Sequence, residues 1–351
     1  MDPDLETCLT RAVAVEACCR GLAEKDYQPD LVLVHSGWGD ALHLASIWPG
    51  SPRVVYPELY GSAEALGFGY DPRLGPIPGW LQRCSDRQNL LALAALAHCS
   101  AAIVPTETQR RGFPALVQPL LQVLHEGVNL DQVRPDHQAS FQLPDGQVLR
   151  PGDAVVTFIS RTLEPLRGLH TLLEALPALL QAHPTVQVVV VGEALGMGYG
   201  LLSAHPGGHI GEWLDRVGDR LDPARLHLVG KLAYGELLTL LQVSAAHVSL
   251  TTPYTLSWSL LEAMACGAPV VGNRRSPVED LIQHGRNGVL VDFNDPAALA
   301  AALLELLLQP ERRRGLGEAA RATVLQNYSH RQAAERYLAL FSRLLAGCTS
   351  G

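Results

Sequence analysis

Short apolar runs rich in β-branched residues alternate with stretches of helical periodicity over the first part of the chain. Four runs are predicted as strands: Leu31–His35, Arg53–Tyr56, Ala101–Val104 and Leu120–Leu124. Helical periodicity marks residues 5–25, 80–98 and 106–113. Because strands that alternate with helices usually pair in parallel, the pattern predicts an α/β domain with helices on the faces of a parallel sheet.

A polar stretch between about residues 136 and 153 interrupts this alternation. It contains the turn-forming triplets PDG at 144–146 and PGD at 151–153, which are typical of a linker. We place a domain boundary there, with a first domain over residues 1–148 and a second over 149–328. Residues 329–351 are predicted as a C-terminal helix that packs back on the first domain.

The alternation restarts after the polar stretch and is more regular. The predicted strands are Val155–Ile159, Val186–Val191, Leu226–Val229, Val248–Thr251 and Pro269–Gly272. The predicted helices lie near 168–182, 209–219, 234–243, 257–266, 277–284 and 295–308, and a helical tail follows over about 311–347. This pattern predicts a second doubly wound α/β domain. Open parallel sheets bind ligands beyond the carboxyl ends of their strands, so we expect a site between the two domains.

Composition and charge narrow the class of protein. Hydrophobic residues make up 47% of the 351 residues and charged residues 18%, as in an ordinary globular protein. The formal net charge of -8 has the wrong sign for tracking phosphate backbones, so nucleic acid is not an expected partner. No apolar run exceeds eight residues and the N-terminus is acidic, so we expect a cytoplasmic protein without a transmembrane segment or signal peptide.

The segment from Thr251 to Gly272 reads as a strand, a turn with a proline, a helix and another strand. The helix begins near Ser257, so the backbone N–H groups of residues 255–259 form a helix N-terminus that favours an anion such as a diphosphate. Glu262 follows one turn later. The spacing Ser259-x-x-Glu262 also fits a capping box, in which Glu262 only satisfies backbone donors. The spacing alone leaves both interpretations open.

Two arginines lie in the loop after the strand Val155–Ile159. Arg161 and Arg167 precede the next predicted helix and can turn toward the same crevice. Guanidinium groups bind phosphate oxygens through paired hydrogen bonds, so these side chains are candidates for phosphate binding. The alternative is that one or both are ordinary surface arginines.

Glycines follow the second strand of this domain. Gly192 and Glu193 end the apolar run, and glycines at 196, 198 and 200 come next. The spacing does not match the dinucleotide motif G-x-G-x-x-G, so a flexible loop is the first interpretation and a ligand loop the second. The sequence Gly315-x-Gly317-x-x-Ala320 matches that motif formally, but it lies in a helical stretch with no strand before it and is discarded.

Polar residues also end two strands of the first domain. His35 ends the strand Leu31–His35 and opens a turn with Gly37 and Trp38, while Glu58 follows the strand ending at Tyr56. Polar side chains at the carboxyl ends of parallel strands are candidates for a ligand site, and His35 is a candidate catalytic residue. A purely structural turn is an equally weighted alternative.

Several motifs occur together in one order: HEGVNLDQVRPD at His125–Asp136, the loop Arg161–Gly168, VVVVGE at Val188–Glu193, LEAMACGAPVV at Leu261–Val271 and PVEDLIQHGRNGVLVDFNDPAALA at Pro277–Ala300. On these motifs the chain resembles the retaining glycosyltransferases of family four, also called group 1, from about Leu120 to Tyr328. The resemblance implies the GT-B architecture, in which two Rossmann-like domains with parallel sheets face each other.

The resemblance also implies roles for the candidate residues. Arg161 and Arg167 would hold the donor diphosphate and Glu262 the ribose hydroxyls, and with His35 they are the candidate catalytic residues. The candidate donor-binding residues are Gly192, Glu193, Tyr254, Thr255, Leu256, Ser257, Ser259 and Glu262. The candidate acceptor-side residues are His35, Gly37, Trp38 and Glu58. No cofactor or metal is expected, because arginines and a helix N-terminus supply the positive charge.

The reaction implied is transfer of a sugar, with retention, from a nucleotide-activated donor to a saccharide, lipid-linked or small-molecule acceptor, as in polysaccharide biosynthesis. A lipid-linked acceptor would bring the enzyme to the inner face of the membrane. Two features depart from the family. Tyr254 stands where family members commonly have a glutamate, and the first domain is expected to be short by roughly one or two βα units. The alternative is a truncated or degenerate relative that binds nucleotide or a protein partner without turnover.

Overall fold

The chain folds as two α/β units in the computed structural model, which describes residues 5–196 and 198–348. Unit 1 takes in the chain up to Glu126 together with the residues from Arg331 onward. Unit 2 takes in Gly127–His330. The chain therefore leaves unit 1, completes unit 2, and returns to unit 1 with its C-terminal tail.

Unit 1 is built on a parallel sheet of four strands in the order β1-β2-β3-β4. The strands are β1 (Val32–His35), β2 (Arg53–Tyr56), β3 (Ala101–Val104) and β4 (Leu121–Val123), and the helices are α1 (Leu5–Ala23), α2 (Leu44–Ile47), α3 (Gly79–Leu96) and α4 (Glu107–Gly112). His35 and Tyr56 are partners in the register of β1 and β2. The ends of these two strands therefore lie side by side.

Unit 2 is built on a parallel sheet of six strands in the order β12-β11-β10-β7-β8-β9 and carries a separate two-stranded hairpin, β5-β6. Its strands are β5 (Phe141–Gln142), β6 (Val148–Leu149), β7 (Val155–Thr162), β8 (Gln187–Glu193), β9 (Leu226–Gly230), β10 (Ala246–Ser249), β11 (Val270–Asn273) and β12 (Val289–Val291). Its helices are α5 (Leu169–Ala182), α6 (Gly208–Val217), α7 (Tyr234–Val243), α8 (Trp258–Cys266), α9 (Pro296–Leu308) and α10 (Pro310–Asn327). The central strands are buried on both faces, as their continuous valine runs predict.

The last helix, α11 (His330–Cys348), follows α10 after a break at Tyr328 and Ser329. Its side chain Leu340 is buried with Val54, Ala101 and Ile103 in the core of unit 1. The tail therefore supplies one layer of the unit 1 core.

The polar stretch that was predicted as a linker is folded into unit 2. Residues 141–149 form the β5-β6 hairpin, closed by a turn in which Gln147 N–H donates to the Asp145 side chain at 2.9 Å. Phe141, Leu143 and Leu149 pack with Val155 in the unit 2 core. The division between the units falls earlier, after Glu126. Hairpin turns and linkers share the same turn residues, so composition alone did not separate them.

One predicted helix is wrong. Residues near 277–284 form only a single 3-10 turn over Pro277–Asp280, and the short strand β12 that follows was not predicted. The Asn287 side chain donates to Leu281 O and accepts from Gln283 N–H, which pulls the chain out of a helical path. The remaining predicted strands are present, with ends shifted by a few residues. In the described part of the chain, none of the helices has both the length and the apolar character needed to cross a membrane.

Candidate active site

Arg167 lies at the carboxyl edge of the unit 2 sheet, in the turn between β7 and α5. Its guanidinium group donates to the Thr251 hydroxyl (3.1 Å), the Thr255 carbonyl (2.6 Å) and the Thr255 hydroxyl (3.0 Å). Burial lowers the pKa of Arg167, and the negative charge of Glu164 acts in the opposite direction. Arginine nevertheless stays protonated in proteins. Arg167 is therefore a cation that ties the end of β7 to the loop between β10 and α8.

Arg161 lies near the end of β7 and is exposed. Its guanidinium carbon stands 4.5 Å from the centroid of the Tyr199 ring, which is a cation–π contact. Among the residues that the structure describes, no hydrogen bond or ion pair holds Arg161. Its positive charge contributes to the lowered pKa of Arg167, so the two guanidinium groups are close enough to repel each other. The pair forms a positive edge, and in the described ranges only Arg167 donates its N–H groups to other protein groups.

Tyr254 is buried in the turn after β10. Its ring centroid lies 5.2 Å from that of Tyr199, with an interplanar angle of 42°, and the Arg167 guanidinium carbon lies 5.7 Å from the Tyr254 centroid. Four side chains thus follow one another in the order Arg161, Tyr199, Tyr254 and Arg167, which we call the arginine–tyrosine stack. The residue that departs from the family pattern is therefore packed between the two arginines.

A cavity of about 530 Å³ opens where β8 ends. Both Gly192 and Glu193 line it, together with Leu163 and residues of the loop that follows. Gly192 has a φ of 152°, and a Cβ at this position would approach the Ser160 carbonyl oxygen to 2.5 Å. Glycine is therefore required for the chain to pass β7 at the mouth of the cavity. A space of this size suits a small-molecule ligand.

Helix α8 begins at Trp258, with Ser257 as its N-cap residue. The Ser257 side chain does not cap the helix, and its hydroxyl is 2.8 Å from the Ser259 hydroxyl. The first turn of an α-helix presents N–H groups that lack partners within the helix. Leu256 packs against the hydrophobic core of unit 2, so its side chain serves the fold. Arg167 holds Thr255 beside this helix N-terminus.

Glu262 lies on the second turn of α8 and accepts a hydrogen bond from the Tyr234 hydroxyl at 2.9 Å. Because the helix begins at Trp258, Glu262 is too far along it to form the capping box with Ser259, and that alternative does not occur. Burial raises the pKa of Glu262, and the Tyr234 hydrogen bond lowers it by a smaller amount. One oxygen of a half-buried carboxyl group is thus positioned by a tyrosine from α7.

Unit 1 brings its own candidates together at the ends of β1 and β2. His35 Nε2 is 3.2 Å from the Glu58 carboxylate, and His35 Nδ1 accepts from Gly37 N–H at 3.1 Å. The proton therefore sits on Nε2 and points at Glu58. The Trp38 ring stacks on the His35 ring with centroids 6.3 Å apart, and Trp38 is 37% exposed. An aromatic face, an imidazole and a carboxylate share one edge of the sheet.

The backbone of Glu58 is unusual because its φ is 51°, in the left-handed region that residues other than glycine seldom adopt. The Gln109 side chain donates to the Glu58 carbonyl at 2.9 Å and holds this conformation. Strained residues of this kind cluster at functional sites. In this conformation the Glu58 carboxylate lies 3.2 Å from His35 Nε2.

Sequence reasoning missed several residues at these two edges. Tyr56 donates a short hydrogen bond to Glu126, and burial raises the Tyr56 pKa. In unit 2 the sequence analysis gave no role to Tyr199, Tyr234 or Glu164. Tyr234 meets Glu262 across 28 positions, so no local spacing signals the pair. Tyr199 lies in the glycine-rich loop, and Glu164 lies between the two arginines. These positions beside candidate residues were the one signal in the sequence that could have pointed to them.

Comparison with known proteins now identifies the chain. Residues 142–323 match the family described as glycosyl transferases group 1, and residues 2–133 match the glycosyl transferase family 4 group. The chain belongs to the group 1 glycosyltransferases. Within the family, it is 31% identical over 233 residues to a D-inositol 3-phosphate glycosyltransferase of Segniliparus rotundus, covering 65% of this chain and 48% of that protein.

Two more relatives were found for this chain. A GDP-mannose-dependent phosphatidylinositol monomannoside mannosyltransferase of Mycolicibacterium smegmatis is 28% identical, with 63% of this chain and 56% of that protein covered. Spore coat protein SA of Bacillus subtilis is 24% identical, with 72% and 66% covered. The matches to the D-inositol 3-phosphate glycosyltransferases span about half the length of those proteins.

Solved structures give the fold class of the chain. Anabaena HepE in complex with UDP and glucose superposes with a TM-score of 0.70 at 18% identity, covering 94% of this chain and 81% of that one. Sucrose-phosphate synthase from Thermosynechococcus elongatus superposes with a TM-score of 0.72 at 19% identity, covering 95% and 77%. The predicted fold class, GT-B with two Rossmann-like α/β units, is confirmed.

Proposed function

We propose that this glycosyltransferase transfers a sugar, with retention of configuration, from a nucleoside diphosphate sugar to a hydroxyl-bearing acceptor without a metal ion. The observation that carries the proposal is the positive edge of unit 2, where Arg161 and Arg167 share one region and Arg167 holds Thr255 at the N-terminus of α8. Relatives support the donor class, since one is named for GDP-mannose and one structure contains UDP and glucose.

The charges fit the chemistry of that transfer. When the bond between the sugar and the diphosphate breaks, its electron pair goes to the phosphate oxygen, and negative charge builds up there. Two guanidinium groups and the amides at the start of α8 stabilise this charge in place of a metal ion. The leaving phosphate oxygen then takes the proton of the acceptor hydroxyl, which attacks the sugar on the same face. No side chain needs to act as a nucleophile.

The edge of unit 1 fits the acceptor. His35 carries its proton on Nε2 and Glu58 accepts it, so the pair offers both a carboxylate acceptor and an oriented imidazole to a hydroxyl group. The exposed Trp38 ring provides an apolar face of the kind on which sugar rings pack. We assign His35, Gly37, Trp38 and Glu58 to acceptor binding. Saccharide, lipid-linked and small-molecule acceptors all carry the required hydroxyl.

Glu262 is assigned to the ribose hydroxyls of the donor. Glu262→Ala should weaken nucleoside diphosphate binding by about 10–100-fold in isothermal titration, since a carboxylate that accepts from hydroxyl groups is lost. Burial raises the pKa of Glu262 above the usual glutamate value of about 4.3. When the pH is lowered, the wild-type affinity should therefore begin to fall at a higher pH than an ordinary glutamate would give. Glu262→Gln should flatten this pH dependence. Tyr234→Phe is the matched control, with a smaller loss. A lower melting temperature with intact affinity would contradict the assignment.

The proposed function is tested by incubating the purified chain with a panel of nucleotide sugars and candidate acceptors, and by measuring the nucleoside diphosphate released. We expect release from one donor, no loss of rate in EDTA, and an α-linked product from an α-linked donor by NMR. Inhibition by EDTA that added metal reverses would refute metal independence. Nucleotide binding with no transfer from any donor would instead favour the alternative, a relative that binds nucleotide without turnover, for which Tyr254 is the motivating residue.

A further inference from the structure

The glycine-rich loop after β8 is fastened to a buried carboxylate. Glu164 is only 4% exposed, and its Oε2 accepts from the backbone N–H groups of Tyr199 (3.0 Å) and Gly200 (3.1 Å). A Cβ at Gly198 would overlap the same oxygen, so glycine is needed for the loop to close on it. Within the described residues, neither arginine nor lysine pairs with Glu164 in an ion pair. Besides raising the pKa of Arg167 through its charge, the carboxylate therefore holds the loop.

This fastening fixes the position of Tyr199. Its ring lies between the Arg161 guanidinium group, 4.5 Å from the centroid, and the Tyr254 ring, at 5.2 Å. Tyr254 is buried and leans on Arg167, which three hydrogen bonds hold in turn. Every member of the arginine–tyrosine stack other than Arg161 is thus held by burial or by hydrogen bonds. Only its outermost member is exposed.

Arg161 depends on that stack for its placement. An exposed arginine has many rotamers, and ordering it when a ligand binds has an entropic cost. In the described ranges the Tyr199 ring is what holds the guanidinium group, since no hydrogen bond or ion pair does. An aromatic face restricts the guanidinium group without using its N–H donors. Among the described residues no group accepts from any of its five donors, so they stay available for an anion.

We propose that Tyr199, fastened by Glu164, is a positioning residue that preorganises Arg161 for the donor diphosphate. This inference rests on the proposed function, because the anion is taken to be the donor diphosphate. It gives the glycine-rich loop a role: the loop carries an aromatic support for a phosphate-binding arginine. It also gives Tyr254 a role as the inner layer of that support.

The test is a double-mutant cycle on anion binding, with UDP, GDP, ADP and inorganic pyrophosphate as probes. Tyr199→Leu should weaken binding of the diphosphate that wild type binds best by about fivefold, as expected for loss of a cation–π contact. Arg161→Ala should weaken it by about tenfold or more. The double variant should be no weaker than Arg161→Ala alone, and Tyr199→Phe, which keeps the ring, should restore wild-type affinity to within about twofold.

A second readout follows the fastening itself. Glu164→Ala should speed hydrogen exchange at the amides of Tyr199 and Gly200 and should weaken diphosphate binding as much as Tyr199→Leu does. Additive losses in the cycle, or a Tyr199→Leu variant with unchanged affinity beside a weakened Arg161→Ala, would overturn the inference and leave the proposed function standing. Intact coupling in a protein that transfers no sugar would overturn the proposed function alone. A wild type that binds none of the four probes would overturn both.

Discussion

Arg167→Ala is expected to weaken nucleoside diphosphate binding by about 30–1000-fold. The variant loses a cation at the proposed diphosphate site, and it also loses three hydrogen bonds that hold Thr251 and Thr255 in front of helix α8. Hydrogen bonds to charged groups contribute about 1.5–3 kcal/mol each. Loss of one such bond to phosphate, together with the disturbance of the helix N-terminus, should reduce the binding free energy by about 2–4 kcal/mol in total. Isothermal titration with UDP and GDP measures the change.

The matched control is Arg167→Lys, which keeps the charge but replaces the planar fork with a single ammonium group. It should recover part of the affinity and little of the order of the Thr255 loop. A melting curve for each variant separates loss of binding from loss of folding. If Arg167→Ala binds diphosphate within about threefold of wild type while remaining folded, Arg167 does not contact the donor phosphates.

Gly317→Ala is expected to destabilise unit 2 by about 2–3 kcal/mol, which is the range for forcing atoms into a packed contact. Gly317 lies inside helix α10, and an added Cβ would overlap the carbonyl oxygen of Gly267, which ends α8. Neither partner is a flexible side chain, so relief requires the two helices to separate. Separation would open the contacts of Ala320 and Val324 with the core around α8.

Gly315→Ala provides the control for that substitution. It lies two positions away in the same helix, and an added Cβ meets nothing within 4 Å. Alanine favours helix over glycine by about 1 kcal/mol, so this variant should be as stable as wild type or more stable. Urea unfolding of the two variants, followed by circular dichroism, measures the difference. Equal midpoints would show that α10 can move away from α8 without loss.

Local pattern predicted the central elements of both units because buried strands carry their signal within themselves. The run VVVV at 188–191 reads as a strand in any context, and β8 lies there. The three-residue strand β12 is too short to give such a signal. Residues 277–284 looked helical, yet Asn287, which decides their path, lies beyond them.

The sequence predicted less of the candidate sites than of the fold. The residues came from motifs and from the resemblance, but their partners come from strand order. Arg167 meets Thr255 because β7 and β10 are neighbours in the sheet, and His35 meets Glu58 because β1 and β2 are. Contacts across 23 or 88 positions have no spacing rule in the sequence. The arginine–tyrosine stack was unpredictable for the same reason, since it needs the glycine-rich loop folded onto Glu164.

The return of α11 to unit 1 has a consequence for how the protein is made. Unit 2 is one continuous stretch of chain, whereas the core of unit 1 includes Leu340, near the C-terminal end. A ribosome releases the chain from its N-terminus, and domains generally fold as units when their residues have emerged. Synthesis of unit 1 therefore starts before that of unit 2 and is completed after it. During translation, Val54 and Ile103 remain uncovered by Leu340 until α11 has been synthesised. At that stage chaperones can bind these apolar side chains.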